Sequence, residues 1–96
     1  MNQTYKFRDT DVYLRIKTHI VPNRIEMIEV ETGQPYAVAT SNLEELNMVE
    51  GYVAVKDYSE NTGMLKFLVD NGIVEPPVTY LKQGFVDFPI CKIKTS

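Results

Sequence analysis

The sequence predicts an α+β protein: a curved antiparallel sheet of about five to six strands with one main helix, about residues 59–71, packed on one face. Segments that alternate apolar and polar residues, as strands do, lie on both sides of a single segment with helical periodicity. A hydrophobic content of 44% and a charged content of 24% exclude a disordered or fibrous chain. A length of 96 residues allows one hydrophobic core, so we expect a single domain over residues 1–96.

The first half of the chain contains the strands expected to build most of the sheet. Residues 11–21 alternate between apolar and polar side chains, which predicts a strand with one buried and one exposed face. Residues 24–31 predict a second strand. Its apolar residues change phase between Met27 and Ile28, which predicts either a bulge or a stretch covered on both faces. A turn that contains a glycine then leads to a third strand at residues 36–40.

An ambiguous segment follows at residues 41–50. The spacing of Ser41 and Glu44 resembles a capping box, which predicts a short helical turn or a structured loop. Residues 51–57 then alternate again and predict a fourth strand.

Residues 58–72 predict the helix. Ser59 is the expected N-cap, and Gly72 is placed to end the helix in the left-handed conformation. Gly63 would lie inside this helix at a cost in stability, which predicts a close backbone contact at that position. The apolar stripe that should face the sheet has four members: Met64, Leu65, Leu68 and Val69.

The last strands are expected at residues 78–81 and 84–93. Pro89 has no N–H group, so the final strand should be an edge strand or be bulged at that point. Exposed strands at the edge of the sheet make a homodimer plausible, although Pro89, Lys92 and Lys94 resemble the residues that protect an edge from pairing.

Charge is unevenly distributed along the chain, whose net charge is −3. Residues 25–50 contain six acidic residues and no Lys or Arg, whereas residues 1–24 contain five basic and two acidic residues. This asymmetry has two interpretations. The folded surface is polarised and attracts a charged partner, or the two segments lie side by side and their opposite charges pair across neighbouring strands.

The polar face of the first long strand is the first candidate binding site. It carries four residues: Tyr13, Arg15, Lys17 and His19. Tyrosine and arginine are frequent in protein interfaces, and a tyrosine beside basic residues is also suited to stack on a nucleotide and contact its phosphates. Glu44 and Glu45 are a second candidate, because carboxylates can imitate nucleic-acid phosphates on a basic partner. We expect a protein partner, with a nucleotide as the alternative; a pI near 5.0 argues against general nucleic-acid binding.

The junction before the predicted helix is a third candidate, because the free N–H groups of a helix N-terminus attract anions. Three polar residues lie there: Ser59, Asn61 and Thr62. Asp57 and Glu60 in the same segment would repel a bound phosphate, and helix capping is the alternative role for these side chains.

One histidine and one cysteine limit the chemistry that the chain can perform. His19 has no second ligand at a recognisable metal-binding spacing, and we expect it to be an exposed bystander. Cys91 lacks a base to activate it, and we expect it to be a small buried hydrophobic residue. Because acid–base and nucleophilic catalysis both need a second positioned group, the sequence predicts a protein that is not an enzyme and uses no metal or cofactor.

Targeting signals are not visible in the sequence. The longest apolar run is far shorter than the roughly 18 residues of a membrane-spanning helix. Residues 1–6 lack the apolar segment of a secretory signal. We therefore expect a cytoplasmic protein without a membrane partner.

The stretch Lys56-Asp57-Tyr58-Ser59-Glu60-Asn61-Thr62-Gly63-Met64, continuing through residues 68–76, resembles an uncharacterised family of small proteins from gut bacteria, their phages and conjugative elements. Residues 35–40 and 84–91 are similar to the middle and the end of that family, so the resemblance covers roughly residues 30–93. The family is a domain of unknown function, so the resemblance implies no catalytic residues. It implies a mobile-element context, in which accessory genes commonly encode small inhibitors of host defence.

Two function hypotheses follow. The first is a non-catalytic interaction protein of a phage or mobile element, most concretely an inhibitor of a host defence system that binds a host protein. The second is a small-ligand or nucleotide-binding protein that sequesters its ligand on the polar face of the sheet.

Overall fold

The computed structural model describes residues 3–17, 24–41, 43 and 51–94. Within these residues the chain forms eight β-strands and one α-helix, with a short 3-10 turn before the helix. The strands are β1 (Thr4–Phe7), β2 (Thr10–Lys17), β3 (Arg24–Glu29), β4 (Pro35–Val38), β5 (Thr40–Ser41), β6 (Tyr52–Val55), β7 (Thr79–Gln83) and β8 (Val86–Lys92). The helix α1 spans Met64–Asp70, and the 3-10 turn spans Ser59–Asn61.

All strand pairs named below are antiparallel, and they form two sheets. Sheet 1 has the order β1-β2-β3-β4, and sheet 2 has the order β5-β6-β8-β7. The α+β class with antiparallel strands and one helix is therefore confirmed, whereas a single sheet of five to six strands is wrong. Most of the ambiguous segment 41–50 lies outside the described residues.

Ala39 is the point where the chain passes from sheet 1 to sheet 2. Its N–H donates to the carbonyl oxygen of Ile25 in β3 at 2.9 Å, and its own carbonyl oxygen accepts from the N–H of Lys56, just after β6, at 2.8 Å. Residues 35–41 alternate like one strand, but their first part pairs with β3 and their last part with β6. This change of partner is why one expected strand becomes two, in two sheets.

The main core lies between α1 and the inner faces of both sheets. Val12 and Ile25 contribute from sheet 1, Val53 and Cys91 from sheet 2, and Leu68 from the helix. Burial of these apolar side chains is the main favourable contribution to folding. The other buried members are Phe7, Met27, Ala39, Val55, Met64, Phe67, Ile73, Val74 and Ile93.

Sheet 2 is also covered on its other face. Leu43, Ala54, Phe88 and Ile90 form a second buried cluster there. Burial on both faces explains the continuous apolar run near the end of the chain, because alternation is expected only where one face is exposed.

The last strand is a central strand, so the expectation of an edge strand at Pro89 is wrong. β8 lies between β6 and β7. Its pairing with β6 ends at Ala54 and Ile90, the residue that follows Pro89 in the chain. The fold tolerates the missing N–H of Pro89 because the pairing of β8 with β6 stops short of this residue. The pairing of β8 with β7 continues, with Pro89 opposite Tyr80.

The predicted end of the helix is confirmed, and a bulge is present in β3, whereas the predicted start of the helix is wrong. The register shift between Met27 and Ile28 is a bulge, one of the two alternatives predicted there, and Gly72 is left-handed with φ 72°. The helix begins only at Met64 because Gly63, with φ 94°, stands outside it as the N-cap. A Cβ at Gly63 would meet nothing within 4 Å, so the expected close contact is absent. A glycine suits this position because it adopts the left-handed backbone angle without steric cost.

Replacing Leu68 with alanine tests whether the helix holds this core together. Leu68 is completely buried, so Leu68→Ala should lower the free energy of unfolding by about 2–5 kcal/mol. Urea denaturation followed by circular dichroism measures the change. Lys66→Ala, on the exposed side of the same helix, should leave the unfolding midpoint nearly unchanged; similar losses for both variants would contradict the packing described.

Candidate functional site

The predicted polar face lies on the outer side of sheet 1, away from α1. Val12 and Leu14 of β2 contact the main core. Because side chains alternate along a strand, Tyr13, Arg15 and Lys17 point outward. Arg15 is exposed, and Tyr13 and Lys17 are half-buried. The other predicted partner-binding residues, His19, Glu44 and Glu45, lie outside the described residues.

A cluster of opposite charges organises this face. The carboxylate of Glu26 in β3 accepts a hydrogen bond from Arg24 Nε at 2.7 Å and lies 3.5 Å from Arg15 Nη1. Arg15 and Glu26 are direct cross-strand neighbours, which confirms the expected cross-strand charge pairing at this position. We call these three residues the Arg15–Glu26–Arg24 cluster.

The cluster changes the acidity of its carboxyl group. The hydrogen bond from Arg24 lowers the pKa of Glu26, and the positive charges of Lys17, Arg24 and Arg15 act in the same direction. Partial burial opposes this change by raising the pKa. The net lowering keeps Glu26 charged down to a lower pH than an isolated glutamate.

The surroundings of the cluster are basic and include one aromatic residue. In the register of sheet 1, the outward-facing charged residues are Lys6, Asp11, Arg15, Lys17, Arg24 and Glu26, which is four bases and two acids. Tyr13 lies opposite Ile28 on this face, and Ile28 is buried to 2% exposure. The face therefore combines positive charge with an aromatic ring on an extended surface.

The predicted anion site at the start of the helix uses its polar groups internally. Asp57 Oδ1 accepts hydrogen bonds from the N–H groups of Gly63 and Leu65, each at 3.0 Å. Asn61 Nδ2 donates to the carbonyl oxygen of Val38 at 2.8 Å, and Thr62 Oγ1 donates to that of Ser59 at 2.8 Å.

Ser59 is not the helix N-cap that the sequence predicted. It has a left-handed φ of 55° and begins the 3-10 turn, while Asp57 provides the carboxylate that caps α1. The sequence placed both residues at this junction but did not show which side chain reaches the helix. Anion binding at Ser59, Asn61 and Thr62 stays a prediction. An anion there would have to compete with the carboxylate of Asp57 for the N–H groups at the start of the helix.

Cys91 is fully buried, as predicted. Desolvation raises the pKa of its thiol to about 11. The reactive thiolate is therefore scarce near neutral pH, and the side chain packs in the main core with Val53 and the helix.

The hairpin formed by β7 and β8 carries exposed apolar residues that sequence reasoning did not single out as a site. Val78 is 63% exposed, Tyr80 is 57% exposed, and Phe85 is fully exposed. A two-residue connection, Gly84–Phe85, joins the strands, because Gln83 pairs directly with Val86. The sequence signal for this exposure was Gly84, which marks a tight turn; the side chain of a residue in a two-residue turn is too far from the core to be buried.

An acidic cavity lies elsewhere, at one end of sheet 1. A cavity of about 230 Å³ is lined by Asp9, Thr10, Asp11, Glu29, Val30 and Glu31. Within residues 3–17, 24–41, 43 and 51–94, no group of three or more His, Cys, Asp or Glu side chains is arranged to hold a metal ion. Over the same residues, no helix is long and apolar enough to cross a membrane.

Comparison of the chain with family models, with curated proteins and with solved structures finds no match in any of the three. The geometry of the outer face of sheet 1 and of the β7–β8 hairpin is therefore the basis for the functional argument.

The capping role of Asp57 can be measured directly. Asp57→Ala removes the acceptor of two helix N–H groups and should lower the free energy of unfolding by about 0.5–2 kcal/mol. Ser59→Ala, which removes a hydroxyl that makes no helix-capping bond, is the matched control and should cost less. Urea denaturation compares the two, and a larger loss at Ser59 would restore the sequence-based assignment.

The charge cluster predicts a pH effect of known sign. Because the pKa of Glu26 lies below its ordinary 4.5 in the folded protein, its contribution to stability is present above about pH 4.5 and is lost as the pH falls through the lowered pKa. Arg24→Gln should move this pKa back toward 4.5, as measured by NMR titration of the Glu26 side chain. An unchanged pKa would show that Arg24 does not control this carboxylate; Lys66→Gln is the control.

Proposed function

We propose that this protein is a non-catalytic interaction protein of a phage or mobile element, which inhibits a host defence system by binding a host protein. The proposed binding surface is the outer face of sheet 1, with Tyr13, Lys17 and the Arg15–Glu26–Arg24 cluster. The observation that carries the proposal is this cluster, which holds two arginines in place on an exposed, extended surface beside a tyrosine.

The composition of this face suits a protein partner. Tyrosine and arginine contribute much of the binding energy in protein interfaces. Arginine side chains that Glu26 already orients lose less conformational freedom on binding, which favours affinity. With four bases and two acids, the face complements an acidic surface.

The mobile-element part of the proposal comes from the resemblance across residues 56–64 and 68–76. A small protein that acts by occupying its target needs a binding surface and no reaction chemistry, which agrees with a site built from Tyr13 and the Arg15–Glu26–Arg24 cluster. The acidic residues Glu44 and Glu45 provide a separate hypothesis, binding to a basic partner, which Glu44→Lys and Glu45→Lys would weaken.

Nucleotide sequestration is the second candidate function. The alignment of Tyr13, Arg15 and Lys17 along one strand favours it, because a base can stack on the ring while the basic side chains contact phosphates. The carboxylate of Glu26 lies between the two guanidinium groups and would repel a phosphate bound at the same place, which disfavours this second candidate.

Reversing charge on the proposed surface tests the function. Tagged wild-type protein captures its partner from a lysate of the native host, mass spectrometry identifies it, and calorimetry measures Kd with the purified partner. The double variant Arg15→Glu, Lys17→Glu should weaken binding at least about tenfold, or about 1.4 kcal/mol. Lys66→Glu, Lys94→Glu makes the same charge change at exposed lysines off this face and should bind like the wild type.

Two results would contradict the proposal. Equal binding by both double variants would remove the outer face of sheet 1 as the interface. Calorimetric heat with mono-, di- or cyclic nucleotides at millimolar concentration, abolished by Arg15→Glu, Lys17→Glu, would instead support sequestration.

A further inference from the structure

We propose that β7 pairs with β7 of a second copy of this chain, forming a two-fold symmetric dimer through a continuous antiparallel sheet. This inference does not depend on the proposed function, because it rests on sheet 2 and its free edge rather than on sheet 1.

Among the residues that the structure describes, the edge of sheet 2 at β7 is open. β7 has only β8 as a neighbour among the described strands, and four of its five residues are exposed. The N–H of Val78 donates to the carbonyl oxygen of Ile90 at 2.9 Å, so the backbone groups of Ile90 face β7 and those of the adjacent Pro89 face away from it. Pro89 and its partner Tyr80 are therefore a pair without hydrogen bonds. By alternation, Tyr80 and Lys82 direct both their N–H and C=O groups away from β8.

This free edge fits a copy of itself in one register. If a two-fold axis passes through Leu81, then Tyr80 of each copy lies opposite Lys82 of the other, and the outward backbone groups of both residues meet in hydrogen-bonded pairs. Leu81 then lies opposite Leu81 of the second copy in a pair without hydrogen bonds, as its inward backbone groups require. Thr79 lies opposite Gln83, so every residue of β7 has a partner.

The side chains complement one another in the same register. The ammonium group of Lys82 lies opposite the aromatic ring of Tyr80, a favourable combination, rather than opposite another lysine. A register centred on Lys82 would place two lysines against each other. Leu81 already packs against the second cluster of sheet 2, and its counterpart would extend that cluster across the axis.

The exposed apolar residues also find partners. In the register centred on Leu81, the turn Gly84–Phe85 of one copy runs beside Pro77 and Val78 of the other. Phe85 is fully exposed in one chain and Val78 is 63% exposed. The two-fold axis places this apolar pairing at both ends of the shared strand pair, which accounts for the apolar exposure of this hairpin.

Analytical ultracentrifugation of the full chain, from micromolar to millimolar concentration, tests the proposal. The wild type should reach twice the mass of one chain. Tyr80→Lys places like charges opposite each other at two symmetric positions and should shift the protein to the monomer. Tyr80→Lys combined with Lys82→Glu pairs opposite charges in the same register and should restore the dimer. Tyr36→Lys, the same change at an exposed tyrosine of sheet 1, is the control and should remain dimeric.

Disulfide trapping tests the register itself. Under oxidation, Leu81→Cys should form a cross-linked dimer, because the axis brings the two positions face to face. Gln83→Cys, on the same face of β7 but opposite Thr79, should cross-link far less. The buried Cys91 leaves the background low.

Two outcomes would overturn the proposal. The first is a wild type that stays monomeric at every concentration; if Tyr80→Lys then also abolishes capture of the host protein, the β7 edge pairs with a strand of that protein instead. The second is a dimer that Tyr80→Lys does not disrupt, which would place the interface elsewhere. Circular dichroism confirms that each variant is folded.

Discussion

The packing of one short helix between two sheets is the interaction on which the rest of the structure depends. α1 has seven residues, and an isolated helix of that length is unstable in water. Met64, Phe67 and Leu68 are nevertheless buried, in contact with residues of both sheets. The helix therefore forms because of the core, and the core holds the two sheets together because the helix fills it.

This arrangement determines which surfaces remain free. The inner faces of both sheets are occupied by the helix, and the other face of sheet 2 is covered around Leu43 and Phe88. The outer face of sheet 1 keeps charged side chains in contact with solvent, and Glu26 orders two of them. In the described part of the chain, the edge at β7 is also free, at the opposite end of sheet 2 from β5, where the chain enters from sheet 1.

Sequence patterns were sufficient where a local rule decides the structure. Alternation identified the outward face of β2, and a change of phase marked the position of the bulge at Met27.

Sequence patterns were insufficient where contacts with a distant part of the chain decide the structure. Residues 35–41 look like one strand, and only the hydrogen bonds of Ala39 show that they belong to two sheets. Gly63 lies in an apolar periodic segment, yet its left-handed angle ends the preceding turn before the helix begins. The role of Arg24 was missed for a similar reason, since it became visible only when Glu26 was found between two guanidinium groups.

The positions of the two free surfaces make the two proposals compatible. The proposed pairing uses β7 of sheet 2 and none of the strands of sheet 1, so it leaves the charged face of sheet 1 outside the interface in both copies. A dimer would then carry two identical basic faces. Against a partner that is itself dimeric or repetitive, the second contact would be intramolecular, and the apparent affinity would exceed that of one face without any new contact. A modest surface built around three charged residues can in this way occupy its target persistently.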